Sequence, residues 1–214
     1  MIGLAIAALT MMVASTAQAD VLDDGDFELN GTSNAWSTFG NAFPDEAAPG
    51  IDSGVEGAET LKMFGNFTSS ENFTGVFQDV AVDGTDFSVG DRIVVRGLVG
   101  HLGSDALTGA NQAFLEITFF DPGGLGEFGF GDNQSQALDA SSATDQYFMF
   151  ETTTPLIPVE AQFIRVKAVF VQQDDNAGGA AWVDNVTLAQ IPEPGTAGFL
   201  ALGMLGLVIK RRRK

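Results

Sequence analysis

Carboxylates dominate the reactive side chains of this sequence. Aspartate and glutamate supply 28 of its 214 residues, against ten lysines and arginines, one histidine and no cysteine. Without cysteine there are no disulfides, no thiolate metal sites and no cysteine nucleophile. His101 stands between Gly100 and Leu102 at a predicted strand end and reads as a turn or rim residue. No serine stands in a Gly-x-Ser-x-Gly setting for it to activate. Carboxylate pairs of the glycosidase type are defined by separation in space, not by spacing in sequence, so the chain leaves that chemistry open. The other chemistry open to clustered carboxylates is binding of a hard cation such as calcium, which takes six to eight oxygen ligands. Asp121–Asp132 and Asp174-Asp175-Asn176 are acidic and partly glycine-rich, but lack EF-hand spacing and read as plain turns.

The charge is segregated along the chain. All acidic residues but Glu193 fall between 20 and 190, with only Lys62, Arg92, Arg96, Arg165 and Lys167 to balance them, a net charge of −22. Phosphate backbones and anionic lipid headgroups would repel such a body, which excludes nucleic-acid and peripheral-membrane functions. Divalent cations and uncharged partners remain.

The elements that must position these groups read as strands. Helical periodicity is nowhere sustained over three turns between residues 20 and 190; short β-branched and aromatic runs are punctuated by Gly, Asp, Asn and Ser. The clearest are Gly75–Val82, Arg92–Val99, Ala113–Phe120, Gln146–Thr152, Gln162–Gln172 and Ala180–Gln190. In Gln162–Gln172, Ile164, Val166, Ala168 and Phe170 alternate with Phe163, Arg165, Lys167, Val169 and Val171. Weaker runs at Gly25–Leu29, Trp36–Phe43 and Leu61–Phe67 bring the count to eight or nine. Strands in that number without crossover helices predict an all-β, antiparallel β-sandwich, and 18 phenylalanines against one tyrosine suit a dry core.

Both ends read as processing segments, giving a division into 1–19, 20–190 and 191–214. Ile2–Val13 is apolar apart from Gly3 and Thr10 and leads to Ala17-Gln18-Ala19 before Asp20, the pattern of a secretory signal cut by signal peptidase after Ala19. Only the α-amino group supplies positive charge ahead of that run. At the other end Pro192-Glu193-Pro194 precedes an apolar segment, 195–209, and the basic run Lys210-Arg211-Arg212-Arg213-Lys214. Fifteen helical residues reach about 22 Å, short of a hydrocarbon core of about 30 Å. Gly195, Gly198, Gly203 and Gly206 weaken the helix further, and the cations hold it as a stop-transfer element.

This tripartite tail resembles the PEP-CTERM sorting signal. The resemblance implies a short transmembrane helix recognised by an exosortase, a membrane-embedded cysteine protease or transpeptidase of exopolysaccharide-producing Gram-negative bacteria. It further implies an inner-membrane-anchored precursor released to the cell surface or extracellular matrix.

A second resemblance covers the body. Asp24-Gly25-Asp26-Phe27-Glu28 followed by Trp36, then Gly75-Val76-Phe77-Gln78-Asp79-Val80, then Ala181-Trp182-Val183-Asp184-Asn185-Val186-Thr187-Leu188 fall in the order seen in jelly-roll, galactose-binding-like carbohydrate-binding modules. Asp24 stands where an Asn opens the family pattern, and Asn34-Ala35 precede Trp36 where Gly is usual. The resemblance implies a jelly roll whose first-strand Glu and last-strand Asp hold a structural calcium, carried here onto Glu28 and Asp184, with Asp26 or Asp23 as neighbours. Two carboxylates brought together by terminal strands repel each other without a cation, which favours the same site. Sugar binding needs flat aromatics beside polar groups. Trp36 and Trp182 fall at positions that read as core; Tyr147 and the loops at Asn111-Gln112 and Asn133-Gln134 are the other candidates, with Trp36 kept as a second stacking ring.

The functional expectation is a non-enzymatic exported protein of the cell surface or of a biofilm or exopolysaccharide matrix, sorted through its tail. The alternative is a secreted carbohydrate-binding protein with calcium-stabilised affinity for extracellular polysaccharide.

Overall fold

A computed structural model describes residues 20–28, 35–46, 59–120, 127–173 and 177–191. The signal segment with Ala17 and Ala19, the Pro192-Glu193-Pro194 motif, the predicted tail helix and Asp174-Asp175-Asn176 lie outside the described residues. The described residues form ten strands: β1 (Ser37–Phe39), β2 (Asn41–Glu46), β3 (Glu59–Phe64), β4 (Asn72–Ala81), β5 (Ile93–His101), β6 (Gln112–Phe120), β7 (Glu127–Gln134), β8 (Gln146–Thr153), β9 (Phe163–Gln172) and β10 (Ala180–Gln190). They build two five-stranded sheets, ordered β1-β4-β9-β6-β7 and β2-β3-β10-β5-β8, and every pairing is antiparallel. The expected all-β sandwich is what forms.

The alternation that predicted the strands also fills the core. On β9, Ile164, Val166, Ala168 and Phe170 are all fully buried against Leu115, Ile117 and Phe119 of β6 and the facing sheet's Leu61, Met63, Val95, Val99, Val183 and Leu188. The opposite face of β9 carries Arg165 and Lys167. Arg165 pairs with Asp79 at 2.6 and 2.7 Å and stacks between Phe77 and Phe120, and Lys167 pairs with Glu116 at 2.6 Å.

Three local expectations are corrected. Of the expected Gly25–Leu29 strand, the described residues 25–28 are not strand, because residues 23–26 turn, with Asp24 and Phe27 in the left-handed region (φ 55° and 57°). A bulky residue is held there only where surroundings over-determine it. Phe27 is buried beneath Trp36, with ring centroids 5.3 Å apart, and its N–H donates to the Asp24 carbonyl at 3.2 Å. Trp36–Phe43 is not one strand: Gly40, at φ 66°, sends the chain from β1 in one sheet to β2 in the other. Within the acidic stretch read as a turn, residues from Glu127 onward form β7, which pairs with β6.

The opening segment still lies beside the closing strand. Val21 N–H donates to Leu188 O at 3.3 Å, Leu188 N–H to Asp20 Oδ1 at 3.0 Å, and Val186 N–H to Gly25 O at 2.8 Å. The Gln78 side chain grips the Asp23 backbone through two 2.9 Å bonds. Residues 20–25 thus flank the second half of β10, while β3 pairs with its first half.

Candidate functional site

Asp184 sits where β10 changes partner. A bulge interrupts the β10–β5 register between Asp184 and Thr187, with Asn185 at φ 47°. A bulge of this kind re-aims side chains. Val183 and Val186 both enter the core, and Asp184 turns to the outer face of the sheet, one position beyond the Val183–Leu61 pair. The residue is nevertheless only 4% exposed, and its Oδ1 accepts the Asn185 N–H at 2.7 Å. Burial, opposed by that hydrogen bond, together with the charges of Glu28 and Asp26, pushes its pKa up to about 7. The two residues matched to the family's calcium ligands are therefore electrostatic neighbours.

Glu28 reaches across to β3, where its Oε1 accepts the Glu59 N–H at 3.1 Å, and Glu59 Oε2 is buried without a hydrogen-bond partner. An all-oxygen donor set with a mutually repelling pair and an orphaned buried oxygen has the chemistry a hard cation satisfies. Among the described residues, however, no three acidic or histidine side chains converge closely enough to hold a metal by themselves.

The same outer face carries a registered row: Phe43 pairs with Lys62, Lys62 with Trp182, Trp182 with Gly100 and Gly100 with Tyr147. Lys62 Nζ lies 4.7 Å from the Trp182 ring centroid and 3.2 Å from Asp105, and Trp182 Nε1 donates to Asp45 Oδ2 at 3.3 Å. Trp182 is only 1% exposed, so its ring offers no open stacking face. Tyr147 is half-buried, and its hydroxyl is buried without a hydrogen-bond partner. Burial and then the Asp184 charge raise the phenol's pKa; Thr60 acts in the opposite sense but falls short of hydrogen-bond geometry. Trp36 is half-buried, packs on Phe27 and donates from Nε1 to Asp24 O at 2.9 Å.

The exposed rings are phenylalanines that sequence reasoning did not single out. Phe67 stacks on Phe64 at 5.9 Å, Phe64 meets Phe43 edge-on at 5.9 Å, and Phe43 and Phe67 are 42% and 52% exposed. The alternation of Leu61 and Met63 with Lys62 and Phe64 was the available signal for the outward members of this group.

His101 corrects its sequence assignment as a rim residue. It is fully buried at the end of β5, where Nδ1 accepts the Leu107 N–H at 3.1 Å and Nε2 meets Ser142 O at 3.0 Å. A backbone N–H can only donate and a carbonyl can only accept, so the ring is the Nε2–H tautomer with both nitrogens engaged. It ties two loops together.

Comparison with known proteins places the two parts of the chain separately. Residues 190–214 match the PEP-CTERM protein-sorting motif. No curated protein matches the chain. Among solved structures, the chain is similar to TmCBM61 in complex with β-1,4-galactotriose at 13% identity and TM-score 0.52, covering 81% of this chain and 100% of that one. A Stig cyclase, Fisc, from Fischerella sp. TAU is similar at 13% identity and TM-score 0.54, covering 81% and 97%. The CBM22-1–GH10 modules of Clostridium thermocellum xylanase 10B, complexed with xylohexaose, are similar at 15% identity and TM-score 0.51, covering 79% and 28%. A binding module and a cyclase share this architecture, so the likeness shows the fold and leaves the activity to the site. The chain thus carries a PEP-CTERM sorting motif at its C-terminus, which implies export and exosortase processing, behind a β-sandwich body built like carbohydrate-binding modules.

Proposed function

We propose that this is a non-enzymatic protein of the cell surface or of a biofilm or exopolysaccharide matrix, delivered by a signal peptide and released from the inner membrane when an exosortase processes its tail. The observation that carries this reading is the PEP-CTERM match at 190–214, which follows the last strand of the sandwich directly. Supporting it, His101 has both ring nitrogens engaged and Trp182 is covered. Replacing Pro192-Glu193-Pro194 with alanines should leave export intact and abolish tail removal, so that precursor accumulates in the inner membrane. Mass spectrometry showing the same C-terminus on surface material from mutant and wild type would refute the sorting reading.

A second reading, binding of an uncharged extracellular glycan, is favoured by the exposed rings of Phe43 and Phe67 beside the side-chain amides of Asn41 and Asn66, which hydrogen-bond each other at 2.8 Å. In either reading a structural calcium would take its protein carboxylates from Glu28 and Asp184, with backbone carbonyls and water completing the shell, since no third acidic side chain converges there among the described residues. A glycan array on residues 20–190 with and without calcium separates the two: binding lost in Phe67→Ala supports the module, and a blank array supports the structural role.

A further inference from the structure

The sandwich has one end from which the chain leaves toward its sorting motif, and that end is apolar at its tips. Ile191 N–H donates to Arg92 O at 2.7 Å, fixing the exit beside the β4–β5 loop. The β8–β9 loop is tied to the same place: Gly90 N–H donates to Ile157 O at 2.9 Å, and Ile157 N–H to Asp91 O at 2.8 Å. Ile157 points into the core, but its neighbours do not follow it: Leu156 is 51% exposed, Val159 73%, and Val89 on the facing loop 49%. Phe163, at the start of β9 and paired with Ala81 and Phe120, is 40% exposed at the same end. Asp20, the first residue after the predicted signal cleavage, also lies near this end through its bond to Leu188.

We propose that the loop tips Val89, Leu156 and Val159 form a second contact surface for the enzyme that processes the tail. The inference rests on the exosortase reading and adds to it a site on the folded body. Its basis is reach. Between Ile191 and the apolar segment that starts at Gly195 stand Pro192, Glu193 and Pro194, and the four residue steps from Ile191 to Gly195 span at most about 14 Å when fully extended. An enzyme gripping the motif is therefore held within that reach of this end, and exposed aliphatic side chains there gain by being covered. A lipid surface is the poorer occupant, because Asp83, Asp86 and Glu160 are exposed on the same loops and anionic headgroups would repel them.

The test uses the full precursor in its own host, with pulse-chase conversion of precursor to product as the readout. The triple variant Val89→Ser, Leu156→Ser, Val159→Ser should slow conversion roughly tenfold, the equivalent of about 1.4 kcal/mol of lost contact. Phe73→Ser, 53% exposed at the opposite end of β4, should convert at the wild-type rate. Thermal unfolding of each variant body checks the fold. Should the triple variant melt early, the single Val159→Ser carries the test, with a smaller slowing expected.

Wild-type conversion of the folded loop variants, with the alanine variant of Pro192-Glu193-Pro194 blocked, overturns the contact surface and keeps the sorting reading. Conversion of both overturns the two together. Equal slowing by Phe73→Ser also overturns the proposal. So does co-sedimentation of the wild-type body, but not the triple variant, with phosphatidylethanolamine–phosphatidylglycerol vesicles, since the surface would then meet lipid.

Discussion

Replacing Asp184 by asparagine asks whether the acidic corner between the opening segment and β10 destabilises the fold when no cation is bound. The native carboxyl is buried, faces Glu28 and Asp26, and has its pKa pushed up to about 7 from 3.8. The folded chain therefore holds a proton there that the unfolded chain has released. Stability from this group is fully present below about pH 4, falls as the pH rises toward 7, and stays low above it. A gap of about three pK units corresponds to roughly 4 kcal/mol at full strength. Local relaxation and water penetration around a buried carboxyl reduce the expected loss to about 2 kcal/mol.

Asparagine keeps the Oδ1 that accepts the Asn185 N–H and carries no charge. Asp184→Asn should therefore match the native protein near pH 4 and exceed it by about 2 kcal/mol at pH 8. At 2–4 °C per kcal/mol, that is a Tm difference of about 4–8 °C. The assay is thermal and urea unfolding of residues 20–190 from pH 4 to 8 in chelator, in calcium, and in magnesium at equal ionic strength. A calcium ion held by Glu28 and Asp184 would favour the ionised carboxylate and restore about 2.7 kcal/mol to the native protein at a hundredfold excess over Kd, but not to the variant. Parallel pH curves for the two proteins in chelator would refute the burial argument. A calcium increment that magnesium reproduces, or that survives in Asp184→Asn, would remove the cation from the site.

Two further substitutions test how the sheets are held. Arg165→Lys keeps the charge but loses the paired hydrogen bonds to Asp79 and the planar stacking between Phe77 and Phe120; urea midpoints should report a loss of about 1–2 kcal/mol, and a variant within 0.3 kcal/mol of native would show the stack to be incidental. Gly40→Ala places a Cβ against Thr74 Oγ1 and the Phe73 carbonyl at a φ of 66°; a destabilisation of about 2–3 kcal/mol is expected by the same measurement, and a neutral result would mean that the crossing between sheets does not depend on glycine.

Local pattern was enough to read the class of the body and the direction of its faces. Strict alternation in Gln162–Gln172 placed Ile164, Val166, Ala168 and Phe170 inward and Arg165 and Lys167 outward, because a strand's side-chain period is two whatever its partners. The tail was legible for a similar reason: a motif, an apolar run and a basic end are local in the chain.

What depends on residues far apart in sequence was not legible. Gly25–Glu28 has the composition of a strand, yet it turns, because Asp24 and Phe27 take left-handed conformations that Trp36 and Gln78 stabilise from elsewhere in the fold. Residues 127–132 fall in an acidic stretch that reads as a turn, yet with 133–134 they become a strand because β6 offers an edge to pair with. Asp184 is one carboxylate among 28 in the sequence. Only the tertiary structure gives it a bulge that aims it outward, a setting that buries it and two acidic neighbours from the other end of the body. Its altered protonation follows from desolvation and charge proximity, which no local pattern encodes.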